Sequence, residues 1–128
     1  MLAFFKSRAQ SFKHAFAGWI YVIRTQQNAW IHALATVCVV AMATWLGLGV
    51  RDWAVLILTV AMVWTAEFLN TALEAVVDLA SPQRHPLAKV GKDVGAAAVL
   101  VASAAAVLVG LLIMGPPLWE KIRSLFLH

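Results

Sequence analysis

Charge is scarce in this 128-residue chain: only 12% of its residues are Asp, Glu, Lys or Arg, against 62% that are hydrophobic. With a mean hydropathy of +0.83, it is far more apolar than a soluble domain of this length, and it belongs in a bilayer. Cysteine is nearly absent as well. The single Cys38 cannot close an internal disulfide, and its place among Val37, Val39 and Val40 reads as a packed thiol. The first thirty residues carry basic side chains throughout and lack an h-region followed by a small-residue cleavage site, so the amino terminus is expected to be kept. Also missing is a clustered basic face with interleaved aromatics. The ten basic residues sit scattered at the ends of apolar runs, which matches a net charge of +4 to lipid headgroups and excludes nucleic acid as the partner. There is no internal repeat and no low-complexity linker.

What is present divides at turn signals into a single all-α membrane domain over 1–128. Residues 30–49 (WIHALATVCVVAMATWLGLG) are long and apolar enough to cross a hydrocarbon core of about 30 Å, and stop at Arg51-Asp52. A second span, 53–80, ends at Ser81-Pro82; at about 1.5 Å per residue it reaches roughly 40 Å, so one end should project into water. A loop over 81–92 leads to a third span, 93–114, stopped by Gly115-Pro116-Pro117, and 118–128 form a short amphipathic tail. Ahead of these, residues 2–27 place Phe4, Phe5, Phe12, Phe16, Trp19, Ile20 and Ile23 as an apolar face, which reads as an amphipathic helix on the membrane surface. Trp30, Trp45, Trp53 and Trp119 read as interface anchors, and Trp64 as the filler of an interhelical gap. His32 is expected at the headgroup boundary.

Basic residues set the orientation. Lys6, Arg8, Lys13, Arg24, Arg84, Lys89 and Lys92 fall on one side of a three-span chain, against Arg51, Lys121 and Arg123 on the other. The amino terminus and the 81–92 loop are therefore expected to be cytoplasmic. Ala98, Ala102, Ala106 and Gly110 give the third span small residues at four-residue spacing, suited to close helix approach. Three spans alone offer few ways to bury polar groups, which favours an oligomer.

Those polar groups lie in AEFLNTALEAVVD, residues 66–78. At about 100° per residue, Glu67, Asn70, Glu74 and Asp78 fall at roughly 0°, 300°, 340° and 20°, a single narrow stripe. A carboxylate facing lipid costs at least about 2.5 kcal/mol, so Glu67 and Glu74 must face protein, water or a metal. They could fix the register of a helix seam through Asn70, or form a site open to the cytosol. Intramembrane acids favour the site. Phosphoryl transfer needs a carboxylate for a hydroxyl, another for Mg²⁺, and cations for phosphates, and all three kinds are here. Glu67 lies deepest and suits a general base; Glu74, two turns nearer the cytosol, suits the metal. Asp78 reads as a helix-end charge. Arg84, His85, Lys89 and Lys92 could reach phosphates, although basic residues there also serve topology. No glycine-rich P-loop exists, so a nucleotide would be held by another geometry.

The run AEFLNTALEAVVD followed by SPQRHPLAKVGKDVGAAAVL resembles the small prokaryotic diacylglycerol kinase family, with its undecaprenol kinase branch, from about Ser11 to Met114. The resemblance implies three transmembrane helices plus the surface helix in a homotrimeric helical bundle of the prokaryotic inner membrane. It also implies active sites formed between subunits, and transfer of the ATP γ-phosphate to a lipid alcohol with Mg²⁺. Glu67 matches the catalytic base, Asn70 the reacting centre, and Glu74 a metal ligand; Gln83, Arg84, His85, Lys92 and Asp93 match nucleotide contacts. His14 stands where a tyrosine near the nucleotide is usual, Gln26 where a second metal-binding glutamate is usual, and Arg8 close to a nucleotide-binding arginine. The HPLAK loop looks more like the undecaprenol branch.

Two other readings compete. A non-enzymatic trimer could relay charge along the stripe, but residues 54–65 offer only Thr59 and Thr65, so the polar zone ends near midplane and suits a one-sided site better. A degenerate member could keep the fold without chemistry, and Gln26 is the residue that raises this.

Overall fold

A computed structural model describes residues 1–126, and of residues 2–4 only the backbone; Phe4 of the expected apolar face and the last two residues of the expected tail lie outside this description. Four helices follow in order: α1 (Leu2–Thr25), α2 (Gln27–Leu46), α3 (Val50–Ala80) and α4 (Pro86–Phe126). No strand occurs among the described residues. The last three are long and apolar enough to cross a membrane.

One residue separates α1 from α2. Gln26 takes an extended conformation (φ −101°, ψ 117°), ending the first helix and capping the second. Its N–H donates to Val22 O at 2.9 Å, and its own carbonyl accepts from Ala29 N at 3.3 Å. Between α2 and α3 the chain turns at Gly47, whose φ of 69° is left-handed and suits a residue without Cβ. There Leu48 N donates to Ala43 O and Gly47 N to Thr44 O, which satisfies carbonyls that a helix end otherwise orphans.

The link between α3 and α4 is shorter than the sequence suggests. Helix resumes at Pro86, whose missing N–H costs nothing in a first turn. His85 caps it: its Nδ1 accepts from Leu87 N at 3.2 Å, and its carbonyl from Lys89 N. At the other end, α4 does not stop at Gly115-Pro116-Pro117 but continues to Phe126 as a helix of 41 residues. Proline deletes a backbone bond there, yet apolar surroundings leave helix as the best way to satisfy the remaining backbone groups. The far end is also tied down, since Lys121 Nζ donates to Trp45 O at 2.5 Å and lies 4.4 Å from the Trp45 ring centre.

α3 and α4 make the main packed pair: α3 buries Leu56, Val63, Trp64, Glu67, Asn70 and Thr71, and α4 buries Gly95, Val99 and Ala102. Of the four small residues expected to form a seam, Ala102 is buried, Ala106 and Gly110 are half-buried, and Ala98 is exposed. The closest approach comes at Gly95, where a Cβ would strike Asn70 Oδ1 and lie 3.1 Å from Leu73 Cδ2.

The end of α1 docks on α3 through aromatics. Trp19 sits 4.7 Å from Trp64 and 4.8 Å from Phe68 between ring centres. Val22, Ala29 and Trp64 form a small core, with Ile23, Ala33, Val60 and Phe68 against it. Trp64 fills the gap expected of it and donates its Nε1–H to Thr36 Oγ1 at 3.1 Å. Phe5, Phe12 and Phe16 are exposed along α1, as are its polar residues from Lys6 to Lys13. Cys38 is also exposed on the single chain, contrary to a packed thiol.

Candidate active site

The stripe on α3 descends from water into the protein. Asp78 is exposed at the last turns of α3 and pairs with Lys92 at 2.6 Å. Glu74, half-buried, accepts two hydrogen bonds: from Gln26 Nε2 to its Oε2 at 3.2 Å, and from Asn70 Nδ2 to its Oε1 at 3.3 Å. Glu67 is 1% exposed. The helical period puts these on one face, and the break between α1 and α2 brings the side chain of Gln26 itself onto Glu74.

Three polar atoms at this depth have no hydrogen-bond partner: Asn70 Oδ1, Glu67 Oε2 and His32 Nε2. Leaving such groups unpaired in a low-dielectric interior is costly, and unpaired buried polar atoms mark places where a ligand or water completes the set. His32, expected at the headgroup boundary, is turned inward in the second turn of α2. It projects from α2 against α3, with Nε2 3.7 Å from Glu67 Oε2.

Near the ends of α3 and α4 a cavity of about 670 Å³ is lined by Asp78, Gln83, Arg84, His85, Lys89, Lys92 and Asp93. Its volume suits a nucleotide-sized ligand. Two of its cations are held by carboxylates of the same chain, Lys92 by Asp78 and Lys89 by Asp93; Arg84 is exposed. A second cavity, of about 490 Å³ and mostly apolar, lies between α2, α3 and α4. It begins beside His32 and Trp64, passes Ser103, and runs to Gly110 and Leu118.

The structure thus brings Glu67, Asn70, Glu74 and Gln26 together, and groups Gln83, Arg84, His85, Lys92 and Asp93 around one cavity. Arg8 and His14 are exposed on α1 and line neither cavity. Counted along a straight helix, they stand about 27 and 18 Å from Gln26. Gly95 escaped the sequence reading, and His32 was read there only as a boundary residue. An ionisable side chain inside an apolar span was the available signal for His32; Gly95 had none, since it lies outside the four-residue series of small residues.

Among the described residues, no three His, Cys, Asp or Glu side chains converge to cage a metal. Gln26 and Asn70 turn their amide nitrogens to Glu74 and Asn70 Oδ1 lies beside Gly95, so the Glu74 carboxylate is the charged hard-oxygen donor here, with the amide oxygens available only on rotation. That fits Mg²⁺, which keeps most of its waters and relies on phosphate oxygens for the rest.

A family model described as prokaryotic diacylglycerol kinase matches residues 13–114. The chain is 49% identical over 109 residues to a diacylglycerol kinase of Synechocystis sp., covering 84% of this chain and 62% of that protein. It is 38% identical to the undecaprenol kinase of Bacillus subtilis, covering 85% of this chain and 89% of the relative. To the diacylglycerol kinase of Escherichia coli it is 36% identical, covering 80% and 81%. The match therefore spans less than two thirds of the Synechocystis protein.

Proposed function

Because this chain belongs to the prokaryotic diacylglycerol kinase family, we propose that it moves the γ-phosphate of ATP onto the hydroxyl of a membrane-resident lipid alcohol. The observation that carries this reading is the graded stripe of α3: a fully buried, unsatisfied Glu67, two turns below a half-buried Glu74, beneath a cation-lined cavity.

In this mechanism the nucleotide lies in the cavity at the ends of α3 and α4. Lys92 and Lys89 exchange Asp78 and Asp93 for phosphate oxygens, and Arg84 adds charge without first breaking an ion pair. Glu74, Gln26 and Asn70 would hold Mg²⁺, which neutralises charge on the transferring phosphate. The lipid lies with its tail in the apolar cavity and its hydroxyl at Glu67. The alcohol oxygen forms a bond to the γ-phosphorus while the bond from phosphorus to the β,γ-bridging oxygen breaks. ADP leaves with that oxygen, and the hydroxyl proton passes to Glu67. Exclusion of water by Trp64, Phe68 and the α3–α4 seam favours the lipid alcohol over hydrolysis.

Arg8 and His14 are too far along α1 to serve the site of their own chain, which supports a homotrimer with sites shared between neighbours. Cross-linking of the purified protein tests that assembly. An apolar cavity discriminates poorly between acyl and prenyl tails, so the decisive assay offers diacylglycerol and undecaprenol side by side with labelled ATP. Turnover of at least one is expected. Glu67→Gln should lower kcat by about 10²-fold or more, the scale of a lost general base, with assembly unchanged; normal turnover in that variant would falsify its role. Absence of turnover in the parent protein with both lipids would instead favour a degenerate member, with Gln26 as its mark.

A further inference from the structure

The last turns of α4 lie outside the kinase site and beyond residues 13–114, which the family model matches. Trp119, Leu125 and Phe126 are 67%, 71% and 84% exposed there, and Ile122 is exposed between them. At about 100° per residue from Leu100, Trp119, Ile122, Leu125 and Phe126 fall at roughly 100°, 40°, 340° and 80°. Leu100, Val107, Leu108 and Leu111, on the exposed side of the span, fall at roughly 0°, 340°, 80° and 20°. The buried Gly95, Val99 and Ala102 fall at roughly 220°, 260° and 200°. One apolar stripe therefore continues from the span, through Pro116-Pro117, to Phe126. Glu120, Lys121, Arg123 and Ser124 take the opposite arc, from roughly 140° to 300°.

Depth is fixed by α2. Its 20 residues measure about 30 Å, the thickness of a hydrocarbon core, so Trp45, beside its last residue, stands at a membrane boundary. Lys121 docks on the Trp45 carbonyl and ring, which brings the end of α4 to the same boundary. Even fully erect, the helix rises only about 7.5 Å from Lys121 to Phe126, the depth of one headgroup layer. An apolar stripe at that depth, continuous with the span, meets lipid. Two cations stand at the same boundary. Arg51, in the first turn of α3, and Arg123 are both exposed, and neither forms an ion pair among the described residues. Both complement the phosphates of anionic phospholipids.

We propose that residues 119–126 are an interfacial anchor on the membrane face that carries the α2–α3 turn: the apolar stripe enters the acyl boundary, while Arg51 and Arg123 hold phosphates of anionic headgroups. The test uses the full chain with Cys38→Ser, carrying a nitroxide at Leu125→Cys or at Glu120→Cys, in phosphatidylcholine vesicles with and without phosphatidylglycerol. With phosphatidylglycerol, collisions at position 125 should favour oxygen over a water-soluble nickel chelate present on both faces, and those at position 120 the reverse. Omitting phosphatidylglycerol, or adding Arg123→Gln, should raise nickel collisions at position 125 several-fold, since one cation at an anionic surface is worth about fivefold. Nickel access at 125 equal to that at 120 would put the stripe in water and overturn the proposal. Exclusion of both reagents, with dipolar broadening between labels, would put a second copy on the stripe and overturn it too. So would a depth at 125 that is indifferent to either phosphatidylglycerol or Arg123. None of these readouts is catalytic, so parent turnover and Glu67→Gln judge the kinase reading separately.

Discussion

A single atom separates Gln26 from the glutamate usual at its place, and its contact with Glu74 makes the consequence calculable. The amide donates to Glu74 Oε2 at 3.2 Å; Gln26→Glu would replace that bond with two carboxylates at close range. Without a cation the pair repels, and with one it supplies the second charge that the present donor set lacks. Gln26→Glu should therefore lower the Mg²⁺ concentration for half-maximal activity several-fold. A Mg²⁺ titration reads this directly, and an unchanged midpoint means that Gln26 lies outside the cation's reach. Gly95 is the second telling position. In Gly95→Ala the new methyl falls on Asn70 Oδ1, so Asn70 must rotate and release Glu74. A cost of about 1–3 kcal/mol is expected for such overpacking, visible as a lower Tm in detergent together with reduced turnover. Of this site, the stripe was legible in sequence because helical period alone aligns Glu67, Asn70 and Glu74. His32 was not, because its partner lies 35 positions away on another helix and only packing brings them together. Cys38 went the other way: apolar neighbours in sequence suggested burial, but all of them share a helix whose outer face is open on the single chain.

Among the elements, the three spans could be read from hydropathy, and so could the break near Ser81; the turn into α3 came at Gly47, ahead of the stop expected at Arg51-Asp52. The end of α4 could not. Gly-Pro-Pro is a stop signal in water, where freed carbonyls find solvent; beside apolar surroundings the same residues are carried within a continuing helix. At about 1.5 Å per residue, α4 reaches roughly 60 Å, so both its ends pass beyond a core of about 30 Å. The supposed tail is thus a rigid extension, and Lys121 ties it to the end of α2. Lys121→Met keeps the stem and removes both the bond to Trp45 O and the charge over its ring. Loss of about 0.5–1.5 kcal/mol is expected, measured by thermal unfolding in detergent, with kcat within twofold because the tie lies at the opposite end from Glu67. Trp19 serves the other terminus. By packing tilted on Trp64 and edge-on to Phe68 it fixes how α1 approaches α3.

For the whole molecule, the exposed apolar side chains on α2, α3 and α4 are the surface that lipid or other copies of the chain must cover. The distribution of basic residues predicts a cytoplasmic placement for the amino terminus and the segment between α3 and α4. Gln83→Cys in a Cys38→Ser background checks this: in right-side-out vesicles, a membrane-impermeant maleimide should label it only after the vesicles are opened. Labelling of sealed vesicles would reverse the arrangement.

The hinge at Gln26 has a mechanical corollary. One residue both ends the leading helix and supplies the amide that touches Glu74, so the tilt of 24 residues and the aim of one side chain share a single pair of torsion angles. Nothing that pushes on α1 can rock that lever without turning the amide beside Glu74.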